Sequence, residues 1–119
     1  MMFRSIYKSK IQGLRVTEAN LEYIGSITID EELLDVADII PNERVQIVNL
    51  NNGSRIETYV MPGEKGSGTV CMNGGAARYA VVGDRLLIIS YAIMETKDAV
   101  IFKPKIIFVN DKNKVINKK

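Results

Sequence analysis

Short apolar stretches of β type recur along nearly the whole 119-residue chain, each closed off within a few residues by Gly, Asn, Asp or Pro. Such a pattern leaves little room for helix and favours a small barrel or sandwich. The strongest local signal is Asn51-Asn52-Gly53-Ser54, set between strands expected over 45–49 and 56–60. Asn-Gly tolerates the positive φ of a tight turn, so these strands form a hairpin. Further strands are expected over 3–11, 14–18, 26–29, 69–72, 85–94 and 105–109. One clear helix is expected over 30–40. Asp30 caps it, Glu31 and Glu32 favour its positive end, Leu33, Leu34, Ala37 and Ile40 share a face, and Pro41 stops it. A shorter helix is expected over 75–81.

A faint internal repeat adds to this pattern. Ile39-Ile40-Pro41-Asn42-Glu43-Arg44-Val45 resembles Val81-Val82-Gly83-Asp84-Arg85-Leu86, with one residue deleted in the second copy. In both, a short helical segment ends in a β-branched pair, turns through Pro or Gly with an acid, and enters an apolar strand. Such pseudo-symmetry suggests two interlocked halves closing one barrel.

Composition mostly excludes. The chain has no histidine and one cysteine, Cys71. That rules out a Ser-His-Asp triad, a histidine zinc site, a thiolate cluster and an intrachain disulfide, and no metal is expected. The lone cysteine fits a reducing cytoplasm. No apolar run reaches the ~18–20 residues of a membrane span, and Met1 to Lys8 does not read as a signal peptide. No phosphate-binding glycine loop occurs: Gly63-Glu64-Lys65-Gly66-Ser67-Gly68 has the composition but the wrong spacing. The formal charge of +2 is concentrated at the end, where Lys112, Lys114, Lys118 and Lys119 face only Asp111. The body of the chain is close to neutral, so it lacks the basic stripe a nucleic-acid binder needs. The expected organisation is a single domain over 1–109 with a flexible Lys/Asn-rich tail over 110–119.

What remains is a set of polar residues at strand ends: Lys10, Arg55, Thr58, Tyr59 and Asn73. Strand alternation places Arg55, Glu57 and Tyr59 on one face, Ile56 and Thr58 on the other. Taken singly, each reads as an ordinary surface side chain. Together with Tyr23-Ile24-Gly25-Ser26-Ile27-Thr28-Ile29-Asp30 they point elsewhere. Gly-Ser also occurs at Gly53-Ser54 and Gly66-Ser67, so the dipeptide gains meaning only from this context.

The chain resembles the pyruvoyl-dependent aspartate 1-decarboxylases. The resemblance is carried by Lys8-Ser9-Lys10-Ile11, Arg15-Val16-Thr17, Leu21 to Asp30, Asn51 to Tyr59, Glu64 to Gly68, Asn73-Gly74-Gly75-Ala76-Ala77 and Val82-Gly83-Asp84. It implies a mainly β fold, a small double-psi β-barrel with one or two short helices, assembled as a homotetramer. It also implies self-cleavage between Gly25 and Ser26, assisted by Thr58, with Ser26 becoming a covalent pyruvoyl group in place of pyridoxal phosphate. Through a Schiff base to that group, L-aspartate would lose CO2 to give β-alanine for pantothenate and coenzyme A synthesis. Tyr59 would be the proton donor, a role a phenol can fill without histidine. Arg55 would bind a substrate carboxylate by paired hydrogen bonds, Lys10 would add positive charge, and Asn73, Gly74, Gly75 and Ala76 would line the pocket with Thr58. Glycine suits the cleavage position because it tolerates strained backbone.

Two positions depart from the family pattern. Gly75 stands where alanine is frequent, and Val48 where an aromatic is sometimes found. Whether cleavage proceeds unaided or uses a maturation factor is left open by the sequence. The rival readings are a swapped-hairpin DNA-binding regulator and a structural oligomerisation module. The expected partners are therefore L-aspartate and copies of the chain itself, with neither nucleic acid nor membrane.

Overall fold

In the computed structural model, which describes residues 1–116, nine strands alternate with little helix. They are β1 (Phe3–Arg15), β2 (Glu18–Asn20), β3 (Ser26–Asp30), β4 (Arg44–Asn49), β5 (Arg55–Gly63), β6 (Val70–Asn73), β7 (Arg85–Glu95), β8 (Lys105–Val109) and β9 (Val115–Ile116). The helices are α1 (Glu31–Ala37), a 3-10 helix at Gly74–Tyr79 and α2 (Thr96–Ala99). The segments expected over 3–11 and 14–18 merge: β1 runs to Arg15, taking up register shifts after Tyr7 and Gln12, and the short β2 follows. Among the described residues no helix is long and apolar enough to cross a membrane.

The strand order is β2-β6-β3-β5-β4-β7-β1-β8-β9. Apart from β2, which has no counterpart beyond β9 among the described residues, it is symmetric about the β4/β7 pair. Antiparallel β4–β5 mirrors antiparallel β7–β1, parallel β5–β3 mirrors parallel β1–β8, and antiparallel β3–β6 mirrors antiparallel β8–β9. The sequence repeat lies at the heart of this symmetry. Asn42 N donates to Val60 O (2.8 Å) and Val60 N to Glu43 O (3.1 Å). In the other half Gly83 N donates to Val16 O (2.8 Å) and Val16 N to Asp84 O (2.9 Å). Asn42 and Gly83 share a positive φ, 74° and 96°, which is why one copy has Asn and the other Gly at that turn.

The core runs through both halves: Ile11, Leu14, Ile27, Ile29, Ile47, Val60, Val70, Leu86 and Ile88 are buried, with Leu33, Leu34 and Ala37 of α1 closing one end. α1 is shorter than expected. Asp30 does cap it, accepting from Glu32 N at 2.9 Å, but the helix ends at Ala37 because Asp38 turns left-handed (φ 61°). That turn buries Ile39 and leaves Ile40, expected on the apolar face, 64% exposed. Pro41 therefore follows the stop rather than causing it. The helix expected over 75–81 is the 3-10 helix.

The tail also needs correction. Expected to be flexible from residue 110, it is instead built into the barrel as far as Ile116, with β9 paired to β8. Asn113 is 1% exposed. Its Oδ1 accepts from Arg15 N (2.8 Å), and its Nδ2 donates to Arg15 O (2.9 Å) and Gly68 O (2.8 Å). One side-chain amide thus satisfies both backbone groups of Arg15, as a neighbouring strand would. Lys118 and Lys119 lie outside the described residues.

Candidate active site

The Gly25–Ser26 bond lies where an exposed loop enters the sheet. Tyr23 and Ile24 are exposed, whereas Ser26, the first residue of β3, is 2% exposed and pairs with Asn73 of β6. The backbone of Gly74 closes on this bond from the other side. Gly74 has φ +62°, and a Cβ there would lie 2.6 Å from Gly25 Cα, 2.7 Å from Gly25 N and 2.8 Å from Tyr23 O. Only a glycine permits that approach.

The side chains around Ser26 form a closed polar set. Asn73, also 2% exposed, donates from Nδ2 to Ser26 Oγ (3.0 Å) and to Thr28 Oγ1 (2.9 Å). Its Oδ1 accepts from the Cys71 thiol (3.0 Å). Burial, and secondarily the Glu18 carboxylate, push that thiol above its ordinary range, so it remains an S–H donor at neutral pH. Sequence reasoning had found Asn73 and missed Thr28 and Cys71; their only signal was position, i+2 from Ser26 on β3 and i−2 from Asn73 on β6.

Further along β3, the Asp30 carboxylate is fixed. Burial raises its pKa, but N–H donors from Gly68 (2.8 Å), Gly66 and Glu32 (2.9 Å each), with the Lys114 charge, outweigh burial and hold it below the usual carboxylate range. This ties the loop between β5 and β6 to the start of α1.

The residues expected at the site fall into two groups. In the first, Gly25, Ser26, Asn73 and Gly74 touch, and a Cβ on Gly25 would lie 3.9 Å from Gly75 N. Gly75 and Ala76 line a cleft of about 450 Å³ with Thr58, Ile56, Glu57, Arg78 and Tyr79. The parallel pairing of Ile27 with Val60 brings the Thr58–Tyr59 backbone to the level of the Gly25–Ser26 bond. In the second group are Lys10 and Arg55. Registers link Arg55 to Val48, Leu87 and Gln12, and Lys10 to Ile89, Gln46 and Glu57, so the two cations share one sheet face three strands apart. Arg55 donates to Gln46 Oε1 (3.1 Å), and the Lys10 ammonium lies 4.7 Å from the Tyr7 ring centroid. Neither lines the cleft that holds Thr58, Gly75 and Ala76.

These features define a pseudo-twofold β-barrel whose buried serine lies against two consecutive glycines, Gly74 and Gly75, the second of which lines a cleft. The computationally designed msDPBB_sym2 protein is similar in fold, with TM-score 0.51 and 22% identity over 73% of this chain and 99% of that one. The fold is a double-psi β-barrel. Residues 2–116 match the aspartate decarboxylase family model. The aspartate 1-decarboxylase of Desulfitobacterium hafniense is 61% identical over 94% of this chain and 88% of its own length. That of Carboxydothermus hydrogenoformans is 56% identical over 97% and 91%. The chain belongs to the aspartate decarboxylase family and is a carboxy-lyase. The DNA-binding rival finds no support in these relatives.

Proposed function

We propose that this enzyme decarboxylates L-aspartate to β-alanine and CO2, serving pantothenate and coenzyme A synthesis in the cytoplasm, after cutting its own chain between Gly25 and Ser26. The observation that carries the reading is the confinement of that bond, with Gly74 against Gly25 and an amide donor on Ser26 Oγ.

Ser26 Oγ attacks the Gly25 carbonyl carbon, and the acyl group moves from nitrogen to oxygen as an ester. Thr58 assists by hydrogen-bonding the Gly25 carbonyl. Elimination then releases the Gly25 carboxylate and leaves dehydroalanine at position 26, and hydrolysis releases ammonia to leave a pyruvoyl ketone. The surroundings fit that group, because the Asn73 Nδ2 donor suits a carbonyl oxygen as well as a hydroxyl. The pyruvoyl group supplies the electron sink for loss of CO2.

The other roles fall to side chains. Arg55 binds a substrate carboxylate with its planar fork, Lys10 adds charge, Tyr59 delivers a proton to carbon, and Gly74, Gly75 and Ala76 let the main chain approach the substrate. Neither Lys10 nor Arg55 lines that cleft within one chain, which supports a homotetramer in which a neighbouring protomer supplies the cationic face.

Intact-mass measurement of purified protein tests the cleavage directly. Two fragments are expected, the larger with a blocked N-terminus, together with CO2 release from L-aspartate; Ser26→Ala should stay whole and inactive. Whole, unblocked wild-type protein after prolonged heating, with no CO2 released, would overturn the reading. A heated sample that cuts only when cell extract is added would instead assign a maturation factor.

A further inference from the structure

We infer that Thr28 and Cys71 are positioning residues for chain cleavage, which together hold the Asn73 side-chain amide with its nitrogen toward Ser26. The inference rests on the cleavage reading above. An asparagine amide among hydroxyls has two nearly equivalent orientations, because Ser and Thr hydroxyls donate or accept equally well. Cys71 breaks that equivalence. A thiol is a poor acceptor, and this one faces Asn73 Oδ1 at 3.0 Å, with Met72 O more distant at 4.0 Å, so it is best satisfied when the amide oxygen points toward it. Thr28 holds the oriented amide in place by accepting the second Nδ2 hydrogen at 2.9 Å, a hydrogen that would otherwise be buried without a partner.

The orientation matters to the first covalent step. With Nδ2 donating to Ser26 Oγ at 3.0 Å, the amide stabilises negative charge as Oγ attacks, and the hydroxyl proton points away from Asn73 and is free to leave. With the amide flipped, Oδ1 would accept that proton, hold it, and offer the developing charge no donor.

Thr28→Val keeps the β-branched shape without an acceptor, and Cys71→Ala removes the thiol. Each is expected to slow cleavage roughly tenfold, the rate equivalent of one net hydrogen bond, and to lower the unfolding temperature by roughly 5 °C for the buried bond lost. Thr28→Ser and Cys71→Ser, which keep an acceptor and a donor, are expected to cleave near the wild-type rate. Because Cys71 is the single cysteine, its S–H stretching band reports the bond directly in folded protein, with no substitution at Thr28 or Cys71 needed. It should lie at hydrogen-bonded frequency in uncut Ser26→Ala and shift toward the free-thiol position in Asn73→Ala. Wild-type protein that never cuts would overturn the cleavage reading itself. Cut wild type with equally fast Thr28→Val and Cys71→Ala, or a free-thiol band in Ser26→Ala, would overturn only the positioning roles.

Discussion

Gly74→Ala isolates the closeness of Gly74 to Gly25 from everything else at the site. The added Cβ would stand 2.6 Å from Gly25 Cα, so the two backbones must part by roughly 0.8 Å to reach ordinary contact at 3.4 Å. The atoms it meets are main chain, which cannot rotate aside. Holding alanine at φ +62° costs about 1–2 kcal/mol, and the forced separation about 1–3 more, giving about 2–5 kcal/mol in all. For a domain of this size the unfolding temperature should fall by roughly 10 °C or more. A displacement approaching 1 Å at the reacting carbonyl should slow cleavage by about 100-fold. Calorimetry and timed intact-mass measurement read the two effects. Gly75→Ala is the control: one residue on, a Cβ would meet nothing within 4 Å, so stability and cleavage should stay near wild type. Gly74→Ala cutting and unfolding like Gly75→Ala would refute the steric argument.

Other outcomes follow from the same structure. Because the folded-state pKa of Asp30 is lowered, its carboxylate contributes stability above the ordinary carboxyl value of about 3.9 that is lost as pH falls through the lowered folded value. Asp30→Asn should therefore be markedly less stable than wild type at pH 7, with the gap closing below about pH 4 in denaturant titrations. Asn113→Ala strips partners from Arg15 N, Arg15 O and Gly68 O, and should cost at least about 2 kcal/mol by chemical denaturation, where a frayed tail would cost nothing. Tyr59→Phe should still cut at Gly25–Ser26 yet release little CO2 from L-aspartate, separating maturation from turnover.

Local chemistry was legible wherever a turn had one solution. Asn51-Asn52-Gly53-Ser54 did form the β4–β5 hairpin, and the Asn42 and Gly83 turns occupy the same left-handed position in the two halves. The strand at 105–109 was read to the residue. Long-range pairing was not legible. Nothing in the tail's composition says that Asn113 completes the hydrogen bonding of Arg15, 98 residues earlier. The end of α1 was misjudged because Pro41 is a conspicuous stop, whereas Asp38 in left-handed conformation gives no signal in sequence. Of the expected site, Gly25, Ser26, Asn73 and Gly74 meet within one chain, while Lys10 and Arg55 share a sheet face that strand alternation within one strand does not reveal.

The strand order carries a consequence for the proposed cleavage after Gly25. Residues 1–25 hold β1, which lies between β7 and β8 in one half of the barrel, and β2, which borders β6 in the other. A chain cut after Gly25 therefore keeps an interior strand only by association. The uncut protein can unfold and refold alone, as a unimolecular event. Under the proposed cleavage the cut protein would be a partnership, dependent on concentration for its recovery, with a group at residue 26 that could not be turned back into the peptide bond. Unfolding that an uncut molecule reverses alone would, after that cut, be reversed only where the two pieces meet again.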